Sequence, residues 1–281
     1  MTLLEAIVLG LIQGLTEFLP ISSTAHMRIV PALMNFLDSR HHWNDPGVAA
    51  SAIIQLGTLG AILIYFRRDI FQLTAAFFRE LFRGRPFATP EARLAWFCGL
   101  GTIPIVACGL FFEGLIKSQA RSLWLIAAAL IGLALCLYLA ERMSSHQRTL
   151  KQLTWADALV VGLAQALALV PGASRSGTTI TAGLFMGLKR ETAARFSFLL
   201  SILAVAGSGL YELYKIRHLL ATDIELGWNL VVATVLALIS GYAAIAFLLR
   251  YLRTHTTYVF IWYRLGLGIL LLAMLAIGKI K

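Results

Sequence analysis

Four stretches of the chain, 47–66, 94–112, 122–140 and 226–249, contain no Asp, Glu, Lys or Arg. A helix needs about 20 apolar residues to cross the hydrocarbon of a bilayer, so each is a candidate membrane span. The run 196–211 is shorter but continues through Tyr214 if Glu212 sits near a boundary, and 258–278 is long enough although it carries Arg264. Six spans are therefore expected. Composition agrees: 59% of the 281 residues are hydrophobic and 14% charged, where soluble domains run near 45–50% and about 25%. A soluble fold would have too little polar surface to cover itself. The segments between apolar runs are short, so residues 1–281 read as one all-α integral membrane domain.

The excess of 24 Lys and Arg over 14 Asp and Glu, a formal +10, belongs beside anionic lipid headgroups. No basic stretch with interleaved aromatics lies outside the apolar segments, so no nucleic-acid partner is expected. The start, Met1-Thr2-Leu3-Leu4-Glu5, has no basic segment and is not expected to be a cleavable signal peptide. Cys98, Cys108 and Cys136 all sit inside apolar runs without metal-ligand spacing and read as packing residues.

Two apolar regions do not fit a simple span. Residues 3–37 are interrupted by Glu17, Pro20, His26 and Arg28, and residues 155–188 by Pro171-Gly172 and the polar run that follows. Broken helices at membrane depth persist only where protein or a water-filled cavity satisfies the backbone, so both are expected to be re-entrant helix–break–helix hairpins. They also resemble each other. Gly10-Leu11-Ile12-Gln13-Gly14-Leu15 aligns with Gly162-Leu163-Ala164-Gln165-Ala166-Leu167 and, after a one-residue gap, Pro20-Ile21-Ser22-Ser23 with Pro171-Gly172-Ala173-Ser174. Each is followed by one span, a polar loop and two further spans. Paired broken helices in a repeat point to a site at the repeat interface. The expected units are 1–153 and 154–281. The loop 67–93 carries six arginines, which places it in the cytoplasm. Alternation then puts 38–46, 117–121, 215–225 and the tail with Lys279 and Lys281 outside. The first hairpin enters from outside and the second from inside, an inverted repeat.

Polar residues inside a membrane protein need a reason. Gln13 and Glu17, four apart, share a helix face. Pro20 breaks that helix, and Ser22, Ser23, Thr24 and His26 open the next, where free N-terminal amides favour an anion. Structural capping by Ser22 or Ser23 accounts for this stretch equally well. In the second hairpin, Ser174, Arg175, Ser176 and Thr178 put a planar guanidinium among hydroxyls. Arginine matches phosphate bidentately, although pairing with Glu17 is an alternative role for Arg175. Arg264 reads as a structural residue that snorkels to the cytoplasmic interface.

The run Gly14-Leu15-Thr16-Glu17-Phe18-Leu19-Pro20-Ile21-Ser22-Ser23-Thr24-Ala25-His26 and the run Pro171-Gly172-Ala173-Ser174-Arg175-Ser176-Gly177-Thr178 closely resemble the two signatures of the undecaprenyl-diphosphate phosphatase family, the bacitracin-resistance phosphatases. The likeness extends through Gln55-Leu56-Gly57, Phe196-Ser197-Phe198-Leu199-Leu200 and Tyr263-Arg264. It implies a multi-pass inner-membrane hydrolase, its site open to the periplasm, that converts the C55 lipid diphosphate to the monophosphate carrier for cell-wall synthesis. It also implies six spans and two re-entrant hairpins. Catalytic roles fall on Glu17, Ser23, His26 and Arg175, and substrate contacts on Ser22, Thr24, Ser174, Arg175, Ser176 and Thr178. A Mg²⁺ or Ca²⁺ ion would bridge Glu17, the second acidic position of the family's E/Q-x-x-x-E pattern, and the substrate's phosphate oxygens, with Gln13 as the amide variant at the first position. Ala25 stands where Gly is usual, and Ser51 where an acidic residue is common. Ser23, His26 and a water all stay open as the nucleophile. A homodimer also stays open, as do a lipid-phosphate flippase and an ion-coupled transporter of small anions.

Sidedness is testable directly. A cysteine at Asn44 should react with an impermeant thiol reagent in intact spheroplasts, and one at Arg83 only after permeabilisation; the reverse pattern would invert the topology.

Overall fold

The computed structural model describes residues 1–37, 42–114 and 122–280, and these are built from helices. In chain order they are α1 (Leu3–Phe18), α2 (Ser23–Leu37), α3 (Gly47–Tyr65), α4 (Arg67–Phe82), α5 (Pro90–Phe111) and α6 (Leu123–Met143), then α7 (Trp155–Ala166), α8 (Arg175–Phe185), α9 (Arg190–Thr222), α10 (Ile224–Tyr251) and α11 (Tyr258–Ala276). Helices α3, α5, α6, α9, α10 and α11 are long and apolar enough to cross a membrane. Each overlaps one of the expected spans, and α3, α5, α6 and α11 stop one or two residues short of it at one end. The protein is an all-α, multi-pass membrane protein. The loop 117–121, residues 38–41 and Lys281 lie outside the described residues.

Two elements differ from expectation. The fourth span is a 33-residue helix, longer than its charge-free run because charges at both ends find partners. Arg190 donates through Nε to the buried Glu141 at 2.7 Å, and Lys215 lies 3.4 Å from Glu113 and 3.9 Å from Glu212. The basic segment 67–93 is not loop throughout. It carries α4, which packs on α5 through Phe77 and Trp96, with ring centroids 5.0 Å apart.

Both breaks fall where proline chemistry demands them. The residue before a proline is driven out of the helical region: Leu19 ends α1 extended, at φ −68° and ψ 140°. A 3-10 turn, Leu167–Leu169, follows α7, and Val170 before Pro171 is likewise extended. Each break ends on a serine with a left-handed backbone, Ser22 (φ 74°) and Ser174 (φ 71°). Each of these serines accepts a hydrogen bond from the amide three residues on, Ala25 or Gly177, and so caps the helix that follows.

This geometry corrects the alignment of the two hairpins. Thr2 with Glu5 and Thr154 with Asp157 form matching capping boxes on α1 and α7. From there Gly10 pairs with Gly162, Gln13 with Gln165, Ser22 with Ser174 and Ser23 with Arg175 in one unbroken register. The one-residue gap is unnecessary, since the capping serines, not the prolines, are the equivalent points. The packing corresponds too. Helix α1 lies against α10 and α7 against α5, at crossings so close that a Cβ on Gly10 would stand 2.4 Å from the Ala233 carbonyl oxygen and one on Gly162 2.6 Å from that of Gly101.

Candidate active site

The two breaks meet. The Gly172 amide donates to Thr24 Oγ1 at 3.3 Å, and Ser176 Oγ donates to the Leu19 carbonyl at 3.0 Å. Behind them lies Arg264, fully buried in α11. Its guanidinium donates to the carbonyls of Pro20 (3.2 Å), Gly172 (3.4 Å) and Ala173 (3.1 Å), and to those of Ala129 and Leu130 on α6. One cation thus satisfies backbone acceptors from both breaks, groups that would otherwise be buried without partners. Arg264 does not snorkel to the cytoplasmic interface; the unpaired carbonyls at the breaks hold it inside. A Cβ at Gly177 would stand 2.6 Å from its Nη1, so that glycine leaves room for the guanidinium.

In front of the breaks, Glu17 is the meeting point. It is 8% exposed, and its two oxygens face different helices. Oε2 accepts from Ser23 Oγ at 2.6 Å and from Gln13 Nε2 at 2.6 Å. Oε1 pairs with Nη2 of Arg175. Ser23 and Arg175 are the first residues of α2 and α8, and they occupy matching positions in the two hairpins. Two helix N-termini, each with unsatisfied amides and positive dipole ends, therefore converge beside one carboxylate.

Glu17, Ser23, Thr24, Ser174 and Arg175 line one end of a cavity of about 490 Å³. The cavity runs between α5 and α9, where Ile105, Val106, Leu110, Leu203 and Ala204 form an apolar wall. Val106, Leu110 and Leu203 also expose side chains on the outer surface, which in a membrane faces lipid. The far end carries Glu113, Tyr211 and Glu212.

The remaining candidates stand behind this surface and do not line the cavity. Gln13 buttresses Glu17. Ser22 is fully buried at the cap of α2. Ser176 spends its proton on Leu19, so Ser174 Oγ, 3.2 Å away, donates to Ser176. Thr178 Oγ1 donates to the Arg175 carbonyl at 3.0 Å. His26 contacts Ser22 and Tyr263 rather than Glu17 or Ser23. Gln55, Ser208 and Glu212 also line the cavity, Gln55 from a stretch that carries the family resemblance but no expected role. In the sequence Glu212 marks only the end of the fourth apolar run, and a carboxylate at that end is the signal that places it at the far end of the cavity.

The donor set does not build a resident metal site. Among the described residues no three His, Cys, Asp or Glu side chains cluster. Both Glu17 oxygens already accept from donors, one of them cationic, and Gln13 offers Glu17 its amide NH₂.

Residues 6–270 match the family described as bacitracin resistance protein BacA. The chain belongs to that family. It is 57% identical to the undecaprenyl-diphosphatase of Myxococcus xanthus over 282 residues, covering 100% of this chain and 92% of that protein. It is 53% identical to the undecaprenyl-diphosphatase of Chlorobium phaeobacteroides over 289 residues, covering all of both chains. That of Chlorobaculum tepidum is 52% identical over 287 residues, with 100% and 99% covered.

Arg264→Ala should leave three carbonyls at the breaks without a donor. Stability should fall by about 3 kcal/mol or more, on the scale of lost bonds to a charged donor, seen as a lower melting temperature and a lower folded yield in detergent, and Arg264→Lys should recover part. An Arg264→Ala variant that melts like wild type would remove the residue from this role.

Proposed function

We propose that this chain hydrolyses undecaprenyl diphosphate to undecaprenyl phosphate and inorganic phosphate, as the names of its relatives imply. The observation that carries the reading is Glu17, holding a serine hydroxyl on one oxygen and an arginine on the other at the polar end of an apolar-walled cavity. A lipid diphosphate has the matching shape: an anionic head for Arg175 and the helix amides, and a chain for the wall between α5 and α9. Arginine has five donors, so Arg175 can keep Glu17 and still bind phosphate oxygens with its free edge.

In this reading Ser23 is the nucleophile. Its Oγ attacks the terminal phosphorus while Glu17 takes its proton, and the bond from that phosphorus to the bridging oxygen breaks, releasing undecaprenyl phosphate. Water then attacks the phosphoserine, and its proton passes to a non-bridging oxygen of the phosphoryl group. Ser23 departs with the proton that Glu17 held, and inorganic phosphate leaves. Arg175 stabilises the charge on the transferring phosphoryl group in both steps. Thr24 stands at the same cavity end to orient the diphosphate. Any Mg²⁺ or Ca²⁺ that the reaction needs arrives on the diphosphate, since the protein's own residues do not make a site for it.

The hairpins are read as re-entrant, and 1–153 and 154–281 as inverted repeats, supported by the shared register of capping boxes, glycines and capping serines. With the basic loop 67–93 inside, the cavity opens toward the periplasmic face of the inner membrane. The flippase and small-anion transporter readings gain no support from relatives named as a diphosphatase.

Purified protein in detergent, with no vesicle present, should release phosphate from the C55 diphosphate; no release would overturn the reading. Arg175→Ala should cost at least ~3 kcal/mol in transition-state stabilisation, the scale of losing one preorganised donor. Arg175→Lys keeps a charge beside Glu17 but loses the planar fork, so it should melt like wild type and recover only a small part of the rate. Calorimetry on substrate-free protein should detect no stoichiometric Mg²⁺, and Gln13→Glu should create such binding. Tight one-to-one binding to wild type would contradict a substrate-borne ion.

A further inference from the structure

His26 carries two strong hydrogen bonds, and neither points at the reacting groups. Its Nδ1 lies 2.7 Å from the carbonyl oxygen of Ser22 and its Nε2 2.6 Å from the hydroxyl of Tyr263. A carbonyl oxygen can only accept, so Nδ1 carries the proton. In the neutral ring Nε2 is then an acceptor, and Tyr263 donates to it. The two rings are nearly parallel, 8° apart with centroids at 5.7 Å. His26 is 8% exposed and is absent from the cavity lining.

What His26 holds is the left-handed residue before the nucleophile. Ser22 has φ 74°, a region costly for a residue with a Cβ. Its carbonyl accepts both the ring Nδ1–H and the His26 backbone amide, at 3.3 Å. The next residue is Ser23, whose Oγ meets Glu17. The matching serine of the second break, Ser174, has no such strap, because Thr178 stands where His26 does. Helix α11 thus grips the first break twice in succession, through Tyr263 to His26 and through Arg264 to Pro20.

We propose that Tyr263 is a positioning residue for the phosphatase reaction, acting through His26. Its hydroxyl donates to Nε2 and fixes the ring's orientation, the Ser22 carbonyl having set the tautomer, and the ring holds Ser22 in the conformation that aims Ser23 at Glu17 and the cavity. His26 neither attacks phosphorus nor exchanges a proton with the substrate. The proposal rests on Ser23 and Glu17 as the reacting pair.

The test compares His26→Asn, His26→Ala, Tyr263→Phe and Ser23→Ala in detergent on the C55 diphosphate, with melting measured for each. Asparagine can still donate to the Ser22 carbonyl but cannot act as a base or nucleophile. His26→Asn should stay within about fivefold of the wild-type kcat, while His26→Ala should lose about 10²-fold, the scale of a misplaced reacting group. Tyr263→Phe should lower kcat about tenfold, part of that same scale, with KM nearly unchanged. ¹⁵N spectra of histidine-labelled protein should show the Nδ1–H tautomer for His26 in wild type. The proposal is overturned by a His26→Asn variant as inactive as Ser23→Ala, by Tyr263→Phe at the wild-type rate, or by an Nε2–H tautomer. Failure of the underlying reading is separate: it appears as a Ser23→Ala variant with unimpaired turnover.

Discussion

A carboxylate largely buried between two broken helices governs this structure. Glu17 would be costly to bury alone. It is tolerated because Arg175 pairs with it from one hairpin while Ser23 and Gln13 donate to it from the other. The same contacts that make the charge bearable place a hydroxyl, a guanidinium and two helix N-termini within reach of one substrate phosphate. Stability and chemistry draw on the same atoms, which is why the site must be assembled from both halves of the chain.

The breaks create a second demand, met from behind. Interrupting α1 and α7 frees backbone carbonyls in a region where water is scarce, and Arg264 answers three of them at once while also bonding two carbonyls of α6. Its position deep in an apolar helix looks unfavourable in isolation. It becomes necessary once Pro20, Gly172 and Ala173 converge on it. The front of the site is then free to hold substrate, with α5 and α9 supplying an apolar wall that continues to the lipid-facing surface.

Much of the fold was legible from charge-free runs, because crossing a bilayer restricts composition over some 20 residues at a time. The breaks were legible because Pro20 and Pro171 each force the preceding residue out of the helix. The pairing of Glu17 with Arg175 was weighed only as an alternative, since residues 158 positions apart carry no local pattern that joins them. The role of Arg264 was misplaced for the same reason: its partners are carbonyls, which every residue has and no sequence motif marks. The register of the two hairpins was off by one because proline was taken as the fixed point, whereas the left-handed serines are what the two breaks share. His26 was legible as a signature residue, but its partner Tyr263 lies on a helix distant in sequence.

The central claim is that both hairpins act on one carboxylate. A double-mutant cycle on kcat/KM with Ser23→Ala and Arg175→Lys tests it most directly, using folded protein in detergent and the C55 diphosphate. The account predicts strong non-additivity, with the double variant little worse than the poorer single one and an interaction of about 1–3 kcal/mol. Effects that add to within about 0.5 kcal/mol would mean that the two residues act independently, and would contradict a shared site at Glu17.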